Sequence, residues 1–535
     1  MISRRLIPHT LSLVLTTCLL SMPILNAEVK LAPLFSEGMV LQQKQSIPVW
    51  GWGAPGQRVT VEFGGQKVTG RVDSEGEWLL HLAALEASYE SRELRVRVGD
   101  ASTTVKDVLV GEVWICSGQS NMDYPLKPLT RRPKEKAYQV VSNYIAKELA
   151  TAHDPYLRLI AVPHTTSFLE AKDTFEGRWV RGEKGMIDDF TATGYFFGRE
   201  LREKLDVPVG LIEAAWGNTP VESYIPKAKY REDEVLDQRY TSLLARINEK
   251  LSEYDEAKER SDFEAKLQAW EQGGRKGGKP RLEASPLEDK YNPGTLFNGM
   301  IHPLIPYAMR GCIWYQGEAN RFLPEHYSRK MAALIESWRE VWGIGDFPFY
   351  YVQLANYSAP KRREGWVQIQ NEQRLAMQVK NSGMAVINDT GEFDDIHPRN
   401  KIDVGKRLAA WALANDYGFE MAAYCGPIYR DHTIDGNTIT VSFDHTGSGL
   451  MAGVKNPLEP TRPSEQPLRH FEIAGKDGEW KAAAATIVSP DQVVVSHPEI
   501  EEPIDVRYAW SSYSEGANLY NKQGFPASLF TTAAE

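Results

Sequence analysis

Val113-Trp114-Ile115-Cys116-Ser117-Gly118-Gln119-Ser120-Asn121-Met122 is an apolar run that stops abruptly at small and polar residues. The run reads as a buried strand. The turn after it would lift the Ser120 hydroxyl out of the carboxyl edge of an α/β sheet, where ligands of open sheets bind. A serine in a loop is also an ordinary turn residue, so Ser120 needs a partner to count as a nucleophile.

That partner lies far along the chain, in Asp394-Asp395-Ile396-His397-Pro398. Among eleven histidines, His397 is the best placed to act as a base. A carboxylate three residues before it, Asp394, can reach the second ring nitrogen and fix the tautomer. Asp395, two before, is equally available. Pro398 can open a helix over residues 402–413, and in that reading the aspartates are merely caps. Two other strand ends offer donors for a developing oxyanion. Trp216-Gly217-Asn218-Thr219-Pro220 offers the Gly217 amide. Trp314-Tyr315-Gln316-Gly317-Glu318-Ala319-Asn320 offers the Gln316 side chain and Asn320.

Around these segments the organisation changes twice. Residues 28–106 alternate in strand fashion, as in Arg58-Val59-Thr60-Val61-Glu62-Phe63, with Pro55-Gly56, Gly64-Gly65 and Gly99-Asp100 as turns. That spacing predicts an antiparallel sandwich. Trp50 and Trp52 are read there as core aromatics before sugar platforms. From 107 to 416, strands at 108–116, 207–212, 308–315 and 347–354 alternate with helices at 191–205, 327–342 and 402–413. Such alternation predicts an α/β domain with a parallel sheet and helices on both faces. Residues 227–293 interrupt it with a charged stretch and Gly273-Gly274-Arg275-Lys276-Gly277-Gly278, read as solvated helical arms with a loop on the rim. Residues 417–535 return to short strands.

With 535 residues, 42% hydrophobic and 25% charged, the chain is a globular protein of several domains. Residues 1–27 have the layout of a secretory signal peptide: Arg4 and Arg5, then an apolar run, then Ala27. Its removal takes the formal net charge from −10 to −12. An acidic chain without a basic stretch is a poor nucleic-acid binder. Secretion or residence in a periplasm is expected, with no membrane attachment after cleavage. Cys116, Cys312 and Cys425 remain, an odd number that reads as buried thiols and not as a disulfide framework. No metal or cofactor is expected.

The motifs Gly118-Gln119-Ser120-Asn121-Met122, Trp314-Tyr315-Gln316-Gly317-Glu318 and Ile396-His397-Pro398-Arg399-Asn400-Lys401 resemble those of the sialate O-acetylesterase family, carbohydrate esterases of the SGNH-hydrolase superfamily. The likeness runs over nearly all the mature chain. It implies a three-layer α/β/α catalytic domain flanked by β-sandwich-like segments, and removal of O-acetyl groups from sugars. It implies Ser120 as nucleophile, His397 as base and Asp394 as the acid, from the DxxH spacing. It also implies an oxyanion hole from the Ser120 and Gly217 amides with the Gln316 side chain. Family members often carry a second glycine where Asn218 stands here, so the Asn218 side chain narrows the pocket. Recognition of a sialate carboxylate needs a cation, and Arg321 or Arg399 is the candidate, with Asn320 as a further contact. An acetylated polysaccharide such as xylan or xyloglucan suits the same site, and a catalytically decayed glycan-binding protein is the third reading.

Overall fold

The computed structural model describes residues 29–358 and 365–533. The leader expected at 1–27 lies outside them. Strands β1 (Lys30–Leu31), β3 (Ile47–Trp52) and β6 (Glu77–Leu82) form one small sheet, β2 being Val40–Gln42. Strands β4 (Arg58–Phe63), β5 (Gln66–Arg71) and β7 (Ser88–Val98) form a second with the first part of β8 (Ala101–Gly118). Trp50 is buried against Phe35 and Tyr307, whereas Trp52 is half-buried beneath the Lys30 ammonium.

β8 joins two architectures in one strand. From Ala101 to Asp107 exposed residues alternate with half-buried or buried ones, as they do on a sheet with one wet face. From Val108 to Gly118 every residue is buried, as a central parallel strand requires. β7 pairs with β8 as far as Val110 and the parallel partner β11 takes over from Glu112, while Asp107 sits at φ 55° with its carboxylate held by Arg158 at 2.6 Å and Arg181 at 3.1 Å.

The central sheet then runs β9 (His153–Ala161), β11 (Val209–Ala215), β8, β12 (Gly311–Tyr315), β13 (Phe349–Val352), β14 (Ser382–Ala385), all parallel, with β10 (Val180–Glu183) antiparallel on the β9 edge. Chain order reverses direction at β8, so its carboxyl end is the switch point where a ligand crevice opens. Aromatic residues fill both faces. On one, Trp114 and Tyr350 meet Phe197 of α3 (Ala192–Leu205) and Trp411 of α8 (Lys401–Asn415). On the other, Trp314 and Phe349 meet Trp338 of α6 (Tyr327–Trp342). This is the expected α/β class with helices on both faces. Asn400, not Pro398, caps α8, its side chain accepting from the Asp403 N–H at 3.1 Å.

Inside 227–293, α4 (Glu234–Glu253) docks through Leu236, Tyr240 and Ile247, while α5 (Glu256–Gln272) buries nothing. After α8 the strands build their own sheets around a separate core that includes Ile439, Phe471, Val493 and Phe530. None of them pairs with the N-terminal strands among the described residues. Cys116, Cys312 and Cys425 are free and buried. No helix among the described residues is long and apolar enough to cross a membrane.

Candidate active site

β8 ends at Gly118, whose φ of 138° brings its backbone against β12. A Cβ there would lie 2.2 Å from the Tyr315 carbonyl oxygen, so only glycine fits. The chain turns, the Gln119 N–H donates to Tyr315 O at 2.9 Å, and the short helix α1 (Ser120–Asp123) begins. Ser120, first in α1, stands half-exposed at the carboxyl edge between β11 and β12.

His397 Nε2 lies 2.9 Å from Ser120 Oγ, so the two segments that the sequence pairs meet at hydrogen-bond distance. Tyr124 flanks the imidazole, ring centroids 5.0 Å apart. Burial, then the positive charge of Lys401, push the His397 pKa down to about 4, against the opposing pull of Asp395. The imidazole is therefore neutral, and able to take a proton, at any pH well above 4.

The structure brings Asp395, not Asp394, to this imidazole. Asp395 Oδ1 accepts the His397 backbone N–H at 2.9 Å and lies 4.0 Å from Nδ1. Asp394 points to solvent and pairs with Lys134 Nζ at 3.0 Å.

Two of the three expected oxyanion donors, the Gly217 amide and the Gln316 side chain, are engaged within the protein. The Gly217 N–H donates to Asp123 Oδ2 at 2.9 Å, and Asp123 Oδ1 is 3.4 Å from His164 Nε2. Gly217 is nonetheless beside Ser120, its Cβ position 3.3 Å from Ser120 Cβ. Gln316 is fully buried behind the turn. Its Nε2 donates to Asn320 Oδ1 at 2.7 Å and to Gln119 Oε1 and Thr219 O, each at 3.1 Å, and its Oε1 accepts from Tyr327 OH at 2.6 Å. Gln316 thus clamps the Gln119 turn that presents Ser120. Gln316→Ala leaves several buried groups unpaired, each costing about 1–3 kcal/mol. Thermal unfolding of that variant should show a loss on the order of 3 kcal/mol. An unchanged midpoint with crippled turnover would instead place the amide on the reacting carbonyl.

The residues expected to contact sugar are also held inside the fold. Asn320 is buried, accepting from the Val221 N–H and donating to Glu222. Arg321 is buried and donates to Glu318 O, and Arg399 is paired with Glu392 at 2.7 Å. Asn218 sits at φ 59°, a conformation asparagine tolerates better than most residues, and donates to Tyr291 OH at the site's rim.

Beneath the serine lies a polar cluster the motifs contained but to which the sequence assigned no role. Asn121 Nδ2 donates to Glu318 and, at 2.9 Å, to the carbonyl of Ile396, while Lys401 Nζ donates to Asn121 Oδ1. One side chain thus ties the serine turn to the histidine segment, to α8 and to the turn after β12. Burial lowers the Lys401 pKa to about 7 and raises that of Glu318. Among the described residues no group of His, Cys, Asp and Glu could hold a metal ion.

A doubly wound α/β sheet presenting a serine hydrogen-bonded to a histidine at its switch point has the architecture of an SGNH-type hydrolase. A family model described as carbohydrate esterase, sialic acid-specific acetylesterase, matches residues 282–414, which include Gln316 and His397. The sialate O-acetylesterase of Rattus norvegicus is 26% identical over 92% of both chains, and that of Homo sapiens 28% identical over 75% of this chain and 73% of its own. The crystal structure of a carbohydrate acetylesterase from Xanthomonas citri superposes with a TM-score of 0.76 at 31% identity, covering 95% of this chain and 100% of that one. The chain belongs to the sialate O-acetylesterase family of carbohydrate esterases.

Proposed function

We propose that the protein is an exported serine esterase that removes O-acetyl groups from sugars. The contact between Ser120 Oγ and His397 Nε2 at 2.9 Å carries the reading. O-acetylated sialates, named in the curated relatives, and acetylated neutral glycans are both substrates of this chemistry.

His397 Nε2 takes the Ser120 proton as Oγ bonds to the acetyl carbon. The carbonyl oxygen becomes an oxyanion, received by the Ser120 and Gly217 N–H groups once Asp123 turns toward His164. Collapse breaks the bond to the sugar oxygen, which leaves with the proton from His397. A water then gives its proton to His397 and attacks the acetyl-serine, releasing acetate and restoring the Ser120 hydroxyl. No step calls on a metal. Acetate release from an O-acetylated sugar by the wild-type protein tests the reading, and equal release by Ser120→Ala would overturn it.

The base must be neutral to act, so activity is lost as pH falls through the His397 pKa. An ordinary histidine would put that acid limb near 6.5. Here the limb of kcat/KM is expected at about pH 4, because burial and the Lys401 charge disfavour the imidazolium. Lys401→Met should move the limb upward. A wild-type limb at the ordinary histidine value would contradict this electrostatic account of the site.

A further inference from the structure

The inserted segment 227–293 and Trp216 line a cleft of about 680 Å³. That volume falls within the roughly 300–1,000 Å³ of small-molecule sites. Its inner wall is Trp216, the residue before Gly217, whose indole is stacked on His164 at 4.6 Å. Lys290, also in the wall, donates to Gly217 O at 2.7 Å, and Tyr291 accepts from Asn218. Through Trp216, Lys290 and Tyr291 the cleft adjoins the Gly217–Asn218 turn, which lies beside Ser120. Tyr254, at the end of α4, faces the same space.

Its charge is one-sided. Glu253, Glu259, Glu283, Glu288 and Asp289 line it, against two lysines that are both engaged. Lys250 Nζ is 3.8 Å from Asp289, and Lys290 is committed to Gly217 O. The arginines expected to receive a sugar carboxylate are committed elsewhere, Arg399 to Glu392 and Arg321 within its own turn. Carboxylates accept hydrogen bonds from sugar hydroxyls, and aromatic rings cover the apolar faces of pyranoses. An anionic sugar meets like charge instead.

We infer that this cleft is the subsite for the sugar residues flanking the acetyl ester, and that it selects neutral acetylated oligosaccharides over acetylated sialates. The inference rests on the serine esterase reading. The inserted arms then serve to hold the leaving glycan while Ser120 attacks. The energy of stacking on one ring, about 0.5–1.5 kcal/mol, corresponds to about a tenfold change at most.

The test uses the full chain and three substrates: 4-nitrophenyl acetate, an acetylated xylo-oligosaccharide and an O-acetylated sialic acid. The wild-type kcat/KM for the neutral oligosaccharide should exceed that for the sialate at least about tenfold. Tyr254→Ala should lower the ratio of oligosaccharide to 4-nitrophenyl acetate efficiency several-fold, through KM. Glu253→Lys with Glu283→Lys should shift preference toward the sialate. Cleavage of all three substrates with sialate preferred, or an unchanged ratio in Tyr254→Ala, overturns the subsite and leaves the esterase standing. Failure of the folded wild-type protein on every substrate overturns the esterase reading and the subsite with it.

Discussion

Ser120→Ala is expected to lower kcat for acetate release by about 10⁴–10⁶-fold, with little change in stability. The half-exposed Ser120 hydroxyl bonds to His397, and the turn beneath it is held by Gly118, Gln119 and Asn121, so its loss leaves the scaffold intact. His397→Ala should cost a similar factor. The double variant should be about as impaired as the worse single one, because a nucleophile without its base and a base without its nucleophile fail at the same step. Additive losses in the double variant, measured by acetate release at saturating substrate, would mean that the two side chains act independently. Residual turnover above water is still expected, since the Ser120 and Gly217 amides survive both substitutions.

Much of this site was legible in the chain because its signals are local. β8 announces itself by an apolar run closed by Ser117-Gly118, and residues 327–342 read as a helix coincide with α6. Three strands of the central sheet went unread, β9, β10 and β14. β9 opens on His153-Asp154-Pro155, and β14 is Ser382-Gly383-Met384-Ala385, with no β-branched residue. Glycine at 383 is dictated by Trp411 of α8, which would lie 2.4 Å from a Cβ there. That is a tertiary demand, invisible to periodicity. Gln316 illustrates the same limit at the site. Its position after a strand was readable, but its orientation is set by Tyr327, eleven residues on, and by Asn320 and Gln119. Asn121, Glu318 and Lys401 were all inside the quoted motifs. Their joint role appears only when three segments distant in sequence converge.

Which of Asp394 and Asp395 lies beside the imidazole is set by backbone geometry that spacing alone does not encode. Asp395 folds back so that Oδ1 accepts the His397 N–H, an Asx-type turn that keeps its carboxylate on the histidine side. Asp394, one residue earlier, is left pointing at Lys134. Asp395→Asn should therefore lower kcat by about 10²–10³-fold. Two opposite charges at 4 Å attract by about 4 kcal/mol near a protein surface. Arg399, 3.8 Å from Asp395 Oδ2, offsets part of that. The asparagine keeps an oxygen for the His397 N–H, so the substitution removes charge without opening the turn, and the loss reports stabilisation of the imidazolium. Asp394→Asn should stay within about threefold of wild type, as expected for an exposed ion pair. A large loss in Asp394→Asn with none in Asp395→Asn would move the acid back one residue and require the turn to rearrange on binding substrate. Wild-type turnover in both would leave Ser120 and His397 as a pair that works without a carboxylate to stabilise the imidazolium. That outcome is disfavoured by the charge balance around the ring. Lys401 already opposes a positive imidazole, so a carboxylate is needed on the other side for His397 to hold the proton between the two halves of the reaction.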